Sequence, residues 1–184
     1  MLAAALVASM AVGCVAERPQ QPGPPVRAAP PQEADVDWVE PTSKKGPRLV
    51  FEVQTIEVTQ TGWRARIAIH NATEIPWELG GGPDAASLSF GVMLFVTGSL
   101  MELERRNRSG DLPGLRRARD LAPPPPATLA PGASWRGTIS APGALAAGRW
   151  LRISFGPLVA VGEPPEGLPR QLLWISDNAY LLRA

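Results

Sequence analysis

The sequence predicts an all-β domain over residues 48–184, an antiparallel β-sandwich of about seven strands. Short runs rich in β-branched and aromatic residues alternate between apolar and polar side chains, which is typical of half-buried strands. Glycine- and proline-rich stretches separate these runs and indicate turns. No segment keeps a 3.6-residue apolar period. The closest, 112–121, contains Pro113 and Gly114, so we expect at most a short helix there.

The first two predicted strands are residues 48–59 and 63–70. In the first, the apolar alternation that begins at Leu49 changes phase near Thr55. This phase change indicates a β-bulge, because successive side chains of a strand point to opposite faces. The second strand has a polar face and an apolar face, and the apolar face consists of Trp63, Ala65, Ile67 and Ile69.

The most apolar run of the domain, residues 87–97, is predicted to be a central strand. Residues 102–127 are rich in arginine, glycine and proline, and we expect them to form a long exposed excursion between strands. Turn signals then separate four further predicted strands, at residues 135–140, 149–155, 171–176 and 179–182.

One local pattern carries a family resemblance. Residues 129–135 (LAPGASW), followed by residues 145–150 (LAAGRW), resemble a hairpin of bacterial immunoglobulin-like domains. In those domains the Pro-Gly pair turns into one strand, and the later glycine turns into the next, whose aromatic side chain packs in the core. The intracellular proteinase inhibitor family of bacilli has a similar hairpin. The resemblance implies an immunoglobulin-like sandwich.

Residues 1–13 form an apolar run that ends at Cys14, the only cysteine of the chain. The run is too short for a membrane-spanning helix, which needs about 20 residues, but it suits the apolar part of a cleavable leader. Ala11-Val12-Gly13-Cys14 resembles the lipobox of bacterial lipoproteins, although Leu is usual at the position of Ala11. The resemblance implies that the Cys14 thiol receives a diacylglycerol and that residues 1–13 are removed as a signal peptide.

Acylation also fits the chemistry of a solitary cysteine, since an unpaired thiol in an oxidising compartment invites intermolecular pairing. Export signals normally begin with positive charge, and no Lys or Arg precedes this apolar run. The alternative is that residues 1–13 form a buried helix and that Cys14 is an ordinary small apolar side chain.

Residues 14–47 are predicted to be the lipidated cysteine followed by a disordered, proline-rich linker. Pro, Gln, Ala and charged residues dominate this segment, which cannot bury enough apolar surface to offset its conformational entropy. Trp38 is the one bulky side chain expected to dock onto the domain. A recognition segment for a partner is the alternative to a plain linker.

The balance of charge argues against nucleic-acid binding. The chain has 18 basic and 17 acidic residues, a net charge of +1, so no overall field attracts a polyanion. Asn71-Ala72-Thr73 matches a glycosylation pattern, which we interpret as chance in a bacterial lipoprotein.

Candidate catalytic and metal-binding residues are few. His70 is the only histidine, and without a Gly-x-Ser-x-Gly motif we interpret it as a solvated or structurally hydrogen-bonded side chain. Zinc sites need clusters of Cys, His and carboxylate. The oxygen-rich turn of Ser176, Asp177 and Asn178 suits a calcium site or, more simply, an Asx turn. We therefore predict no catalytic residue, no metal ligand and no cofactor.

Two carboxylate pairs, Glu102 with Glu104 and Glu163 with Glu166, suit glycoside hydrolysis if folding places either pair across a pocket. Both pairs stand in predicted loops, and we interpret them as solvated charges. Glu163 and Glu166 belong to a proline-stiffened loop, residues 162–169, and are candidate partner-binding residues.

Exposed aromatic and basic side chains are the other candidates for partner binding. Trp77 and Trp135 stand close to turns and are predicted to be exposed, where indoles favour contact with a sugar or a protein. Arg116 and Arg117 belong to the arginine-rich excursion, which suits either anionic lipid headgroups or local charge pairing. The remaining strand tryptophans are expected in the core, namely Trp63, Trp150 and Trp174.

These observations favour a lipid-anchored protein of the bacterial cell envelope, tethered to the membrane through Cys14 and facing outside or the periplasm. Its expected role is a non-catalytic binding or assembly module for an unidentified protein or envelope partner. One alternative is a proteinase inhibitor acting through an exposed loop, residues 112–126 or 162–169. The other is an envelope hydrolase.

Overall fold

The computed structural model describes residues 27–79 and 90–184. The predicted signal peptide, Cys14, residues 15–26 of the predicted linker and the start of the apolar run at 87–97 lie outside the described residues. Within them, twelve strands and one helix follow in the order β1 Gln32–Pro41, β2 Arg48–Val58, β3 Gly62–Ala72, β4 Trp77–Leu79, β5 Gly91–Phe95, α1 Leu100–Arg108, β6 Arg116–Arg117, β7 Asp120–Ala122, β8 Thr128–Leu129, β9 Ser134–Pro142, β10 Trp150–Ala160, β11 Gln171–Ile175 and β12 Tyr180–Leu181.

The strands form two antiparallel sheets. The first sheet has five strands in the order β1-β2-β3-β9-β7. The second sheet is built around β10, which pairs with β5 and β4 along one edge and with β12 and β11 along the other. Short strands extend it, since β6 pairs with β5 and β8 with β4. The predicted all-β antiparallel sandwich is confirmed.

The core lies between the two sheets and contains large aromatic side chains from both. Phe51 of the first sheet contacts Phe155 and Trp174 of the second, with ring centroids 5.0 and 5.3 Å apart. Phe90 meets Trp135 at 5.7 Å. Each such buried side chain contributes about 1.5–3 kcal/mol through removal from water, so these contacts hold the sheets together.

The phase change predicted in the first strand is confirmed as a bulge. The pairing of β2 with β3 shifts register between Val53, which lies opposite Ile67, and Thr55, which lies opposite Arg66. The shift lets Ile56 and Val58 return to the core face, and both are buried.

The prediction of a linker through residue 47 is wrong for residues 32–41, which form β1. β1 pairs with β2 from Gln32 to Pro41, and Trp38 packs against the core as expected. Glu33, Asp35 and Asp37 occupy outward positions, so its composition resembles that of a linker although its side chains alternate between half-buried and exposed up to Val39. Asp37, with φ 45°, lies within an irregularity of this edge strand.

The prediction of an irregular excursion over residues 102–127 is also wrong at its start, where α1 covers part of the outer face of the second sheet. Leu103 is the buried residue of α1, and it packs with Met93 and Phe95. A single buried position leaves no apolar period to detect. Ser99 caps the helix, since its Oγ accepts a hydrogen bond from Glu102 N at 3.3 Å. No helix in the described residues is long and apolar enough to cross a membrane.

The sandwich has two distinct ends. At one end, which we call the base, the described chain begins, and Ala28 forms a bridge with Ala146 of the β9–β10 turn. From the base, β1 runs ten residues along the first sheet, about 33 Å at 3.3 Å per residue. It finishes at the opposite end, which we call the loop end. Three connections meet there, namely residues 42–47, 73–76 and 161–170.

Candidate functional site

The three connections of the loop end enclose a cleft of about 490 Å³. They come from both sheets, because the first follows β1, the second links β3 to β4, and the third follows β10. A surface built in this way is held by the rigid strands beneath it, which is how loops of β-sandwiches position binding residues. The lining residues are Lys45, Gly46, Pro47, Glu74, Ile75, Glu163, Pro165 and Glu166.

A buried hydrogen-bond network fixes the connection that carries Glu74. Asn71 Nδ2 donates to Ile75 O at 2.8 Å and to Leu129 O at 3.0 Å. Thr73 Oγ1 donates to Asn71 Oδ1 at 2.6 Å and accepts from Trp77 Nε1 at 3.0 Å. The two residues that matched a glycosylation pattern are therefore buried, and in this structure they brace one wall of the cleft.

Backbone hydrogen bonds hold the two ends of the loop that carries Glu163 and Glu166. Ala160 N donates to Arg170 O at 2.9 Å, and Val161 N donates to Pro76 O at 3.0 Å, which joins this loop to its neighbour. The loop turns at Gly162 and Gly167, whose φ angles of 104° and 84° favour glycine. Its prolines further restrict the backbone, so the carboxylates are presented on a stiff support.

The cleft is lined by acidic and apolar side chains. Three carboxylates, those of Glu74, Glu163 and Glu166, surround it, and Lys45 supplies the one ammonium group among its lining residues. Ile75 and the prolines provide the apolar surface. Such a surface can accept charge-assisted hydrogen bonds from lysine or arginine side chains while it packs against their aliphatic stems.

The structure brings Glu163 and Glu166 together, as their shared loop predicts, and adds Lys45 and Glu74, which the sequence analysis missed. The missed residues lie in other loops, some 90 to 120 positions earlier in the chain. Glu74 stands in a turn between predicted strands, and Lys45 stands in the segment predicted to be a linker. Only the order of the strands in the sheets shows that these segments meet.

The prediction that Trp77 and Trp135 are exposed is wrong. Trp77 is 0% exposed and Trp135 is 4% exposed. Trp77 begins β4 on its core face, and Trp135 lies on the core face of β9, where its Nε1 donates to Pro123 O at 3.2 Å. A position near a turn did not make either indole accessible, because each turn leads directly into a strand whose inner face it occupies.

Arg116 and Arg117 are exposed on β6 and lie apart from the cleft. Arg116 Nη1 donates to Ala144 O at 3.0 Å, which directs this side chain toward the base. The predicted partner-binding residues therefore do not form one site, and the glutamates and arginines belong to different parts of the surface.

The other candidates for chemistry are engaged in structural contacts. His70 Nδ1 lies 2.8 Å from Ser134 Oγ, and this pair spans the β3–β9 ladder on the outer face of the first sheet. Among the described residues, no carboxylate hydrogen-bonds to His70. Glu102 accepts from Thr97 Oγ1 at 2.9 Å, and Glu104 pairs with Arg152.

A second group of charges lies where β1 faces the β11–β12 turn, and we call it the Glu40 clamp. The buried Glu40 carboxylate accepts hydrogen bonds from Trp174, Asp177 and Asn178. Partial burial raises the pKa of Asp177 above its usual value, and the Glu40 carboxylate adds to the rise while Arg152 opposes it. The turn residues weighed as calcium ligands thus join the two sheets.

A second concavity, of about 520 Å³, lies near the base on the first sheet. Strand and turn hydroxyls line much of it, together with Arg64 and Asp120. Arg64 is already paired with Glu57 at 3.1 Å.

In the parts of the chain that the structure describes, no group of His, Cys, Asp and Glu side chains is arranged to hold a metal ion. No protein-family model, curated protein or solved structure matches this sequence.

Proposed function

We propose that this protein is a lipid-anchored module of the bacterial cell envelope that binds a partner through the acidic cleft at its loop end, without catalysis. The observation that carries the proposal is the position of the cleft. The cleft lies at the loop end, opposite the base. The described chain begins at the base, near Arg27. A chain anchored through Cys14 would hold the base toward the membrane and present the cleft away from it.

The chemistry of the cleft indicates the kind of partner. Its carboxylates outnumber its ammonium groups by three to one, so it favours a segment that carries Lys or Arg side chains. Its stiff loops lose little conformational entropy on binding, which increases the affinity obtained from a small contact area. A basic segment of an envelope protein fits this surface.

The anchor is tested by intact-mass spectrometry of the protein purified from the membrane fraction. We expect a chain that begins at Cys14 and carries added acyl mass, because several acyl chains on one residue give stable membrane attachment. Cys14→Ser should shift the protein to the soluble fraction. An intact leader with no added mass, or a Cys14→Ser variant that stays in the membrane, would contradict the anchor.

The cleft is tested by site-specific photo-crosslinking in intact envelopes, with the crosslinking residue at the exposed Lys44 beside the cleft. We expect a discrete crosslinked product. Glu163→Lys combined with Glu166→Lys should reduce its yield by at least about fivefold, since the reversed charges repel a cationic segment. The matched control is Glu33→Lys with Asp35→Lys, a double reversal on the outward face of β1 that should leave the yield unchanged.

The same product from a crosslinker at Arg136, on the outer face of the first sheet, would show that the cleft is not the binding surface. A product whose partner is a proteinase would favour the proteinase-inhibitor alternative. The loop at 161–170 supports that alternative, because it is exposed and the Ala160–Arg170 hydrogen bond joins its two ends.

A further inference from the structure

We propose that the base of the domain rests on an anionic membrane surface through one patch, the base patch, and this inference depends on the proposed membrane anchor. The base patch consists of Val96, Leu100, Met101, Arg105, Arg108 and Leu181. It would fix the orientation of the tethered domain and so direct the cleft away from the lipid.

The topology places the apolar members of the patch at the base. Phe95 and Leu181 both lie opposite Trp150, the first residue of β10, so Val96 and Leu181 stand where the second sheet ends. α1 begins four residues after Val96. The β9–β10 turn, which contacts the start of the described chain, leads into the same residue of β10.

These apolar side chains are unusually accessible. Met101 is 81% exposed, Val96 58%, Leu100 47% and Leu181 44%. They are four of the eight large hydrophobic side chains that the described residues expose. A cluster of exposed apolar side chains bordered by polar groups is typical of a protein or membrane contact.

Arginines border the apolar cluster. Arg105 and Arg108 follow Met101 by four and seven residues, so they share one face of α1 with it. Together with Ser99 and Glu102, these three residues line a groove of about 520 Å³. Arg105 lies 3.7 Å from Glu102, and Arg108 forms no ion pair within the described residues. Further arginines belong to the base, namely Arg27, Arg149 and Arg183.

Glu102 lies within the groove of the base patch and pairs with Arg105, whereas three further acidic residues near the base lie on a different face. Glu33, Glu57 and Asp120 belong to the first sheet, whereas the base patch belongs to the outer side of the second. Basic residues near an anionic membrane are attracted to its surface. The carboxylates of the cleft are repelled by the same surface, so the charge of the domain favours one orientation, with the base toward the lipid.

The proposed anchor at Cys14 makes the membrane the expected partner of the base patch. Only twelve residues separate Cys14 from Arg27, so the two Cα atoms are at most about 45 Å apart. A tether of this length keeps the domain at a high effective concentration near the membrane, so a weak contact suffices to orient it.

The test uses the full chain coupled through Cys14, its only cysteine, to a maleimide lipid in vesicles. We compare amide hydrogen exchange on vesicles of phosphatidylcholine alone with exchange on phosphatidylcholine containing 30% phosphatidylglycerol. We expect exchange over residues 96–108 to be at least about threefold slower on the anionic vesicles, and exchange over 161–170 to be unchanged.

Arg105→Gln with Arg108→Gln, and separately Met101→Asp, should restore the faster exchange. Their matched controls are Arg136→Gln on the first sheet and Leu173→Asp on β11, both at exposed positions, and these should keep the protection. Equal exchange on the two vesicle types would overturn the proposal, and so would protection that depends on protein density on the vesicle, because that result indicates contact between copies. The chemical tether replaces the natural lipid, so the outcome is independent of the intact-mass result.

Discussion

Replacing Glu40 with alanine is expected to lower the free energy of unfolding by about 3 kcal/mol. Glu40 is 5% exposed, and its carboxylate accepts from Trp174 Nε1 at 3.0 Å, from Asp177 N at 2.8 Å, and from Asn178 N and Nδ2 at 2.9 and 2.8 Å. A hydrogen bond to a charged group contributes about 1.5–3 kcal/mol. The bonds do not add, since the turn residues are exposed and water can replace the protein acceptor for some of these donors.

Urea unfolding followed by tryptophan fluorescence measures this change. Glu33→Ala is the matched control, because Glu33 is an exposed glutamate on the same strand and should shift stability by less than about 0.5 kcal/mol. Glu40→Gln keeps the length of the side chain but places an amide donor against donors, so most of the loss should remain. If Glu40→Ala and Glu33→Ala have equal effects, the clamp does not join the two sheets.

The second large effect is a difference in stability cost between replacing Glu104 and replacing Arg152. Arg152 is 0% exposed, and its Nη2 donates to Glu104 Oε1 and to Asp177 O. Its Nε and Nη1 have no hydrogen-bond partner among the described residues. Removing one partner of a buried ion pair costs about 3–5 kcal/mol when a buried charge is left uncompensated. Glu104→Ala should therefore destabilise the protein by about 3 kcal/mol.

Arg152→Met should cost less than about 1 kcal/mol or increase stability, because it removes a buried cation with unmade hydrogen bonds. The Glu104 side chain, 42% exposed, can then be solvated. Methionine also suits the surroundings of Phe95, which lies 5.9 Å below the guanidinium. Thermal unfolding of both variants and of the exposed Arg105→Met control measures the difference. A larger loss for Arg152→Met than for Glu104→Ala would contradict this account.

The strands that could be identified from the sequence are those with one apolar face and one polar face. β3 alternates between buried apolar and exposed polar side chains, so its period of two is visible in the sequence. The bulge of β2 was visible for the same reason. β1 was missed because its inward positions before Glu40 are only half-buried and include Ala34, while acidic residues dominate its composition. α1 was missed because it buries Leu103 alone, although Ser99 and Glu102 have the spacing of a helix start.

The candidate site was predictable only in part. Glu163 and Glu166 stand out because prolines flank them and turn signals enclose their loop. Glu74 depends on the folded topology, since nothing local shows that its turn meets theirs. Trp77 and Trp135 show the opposite error, because their neighbourhood in the sequence indicates exposure while the inner faces of two sheets bury them. Which side of a strand faces the core is decided by sheets that form over long sequence distances.

The direction of β1 determines how the domain bears mechanical load. A pull between a membrane anchor before the base and a partner at the loop end acts along the axis of β1, which pairs with β2 from Gln32 to Pro41. Antiparallel hydrogen bonds are perpendicular to their strands, so this force shears the whole ladder at once instead of opening it bond by bond. Glu40, near the far end of the strand, adds its contacts to the same resistance. Under the proposed anchoring, the edge strand that follows the tether is therefore the element that bears the force.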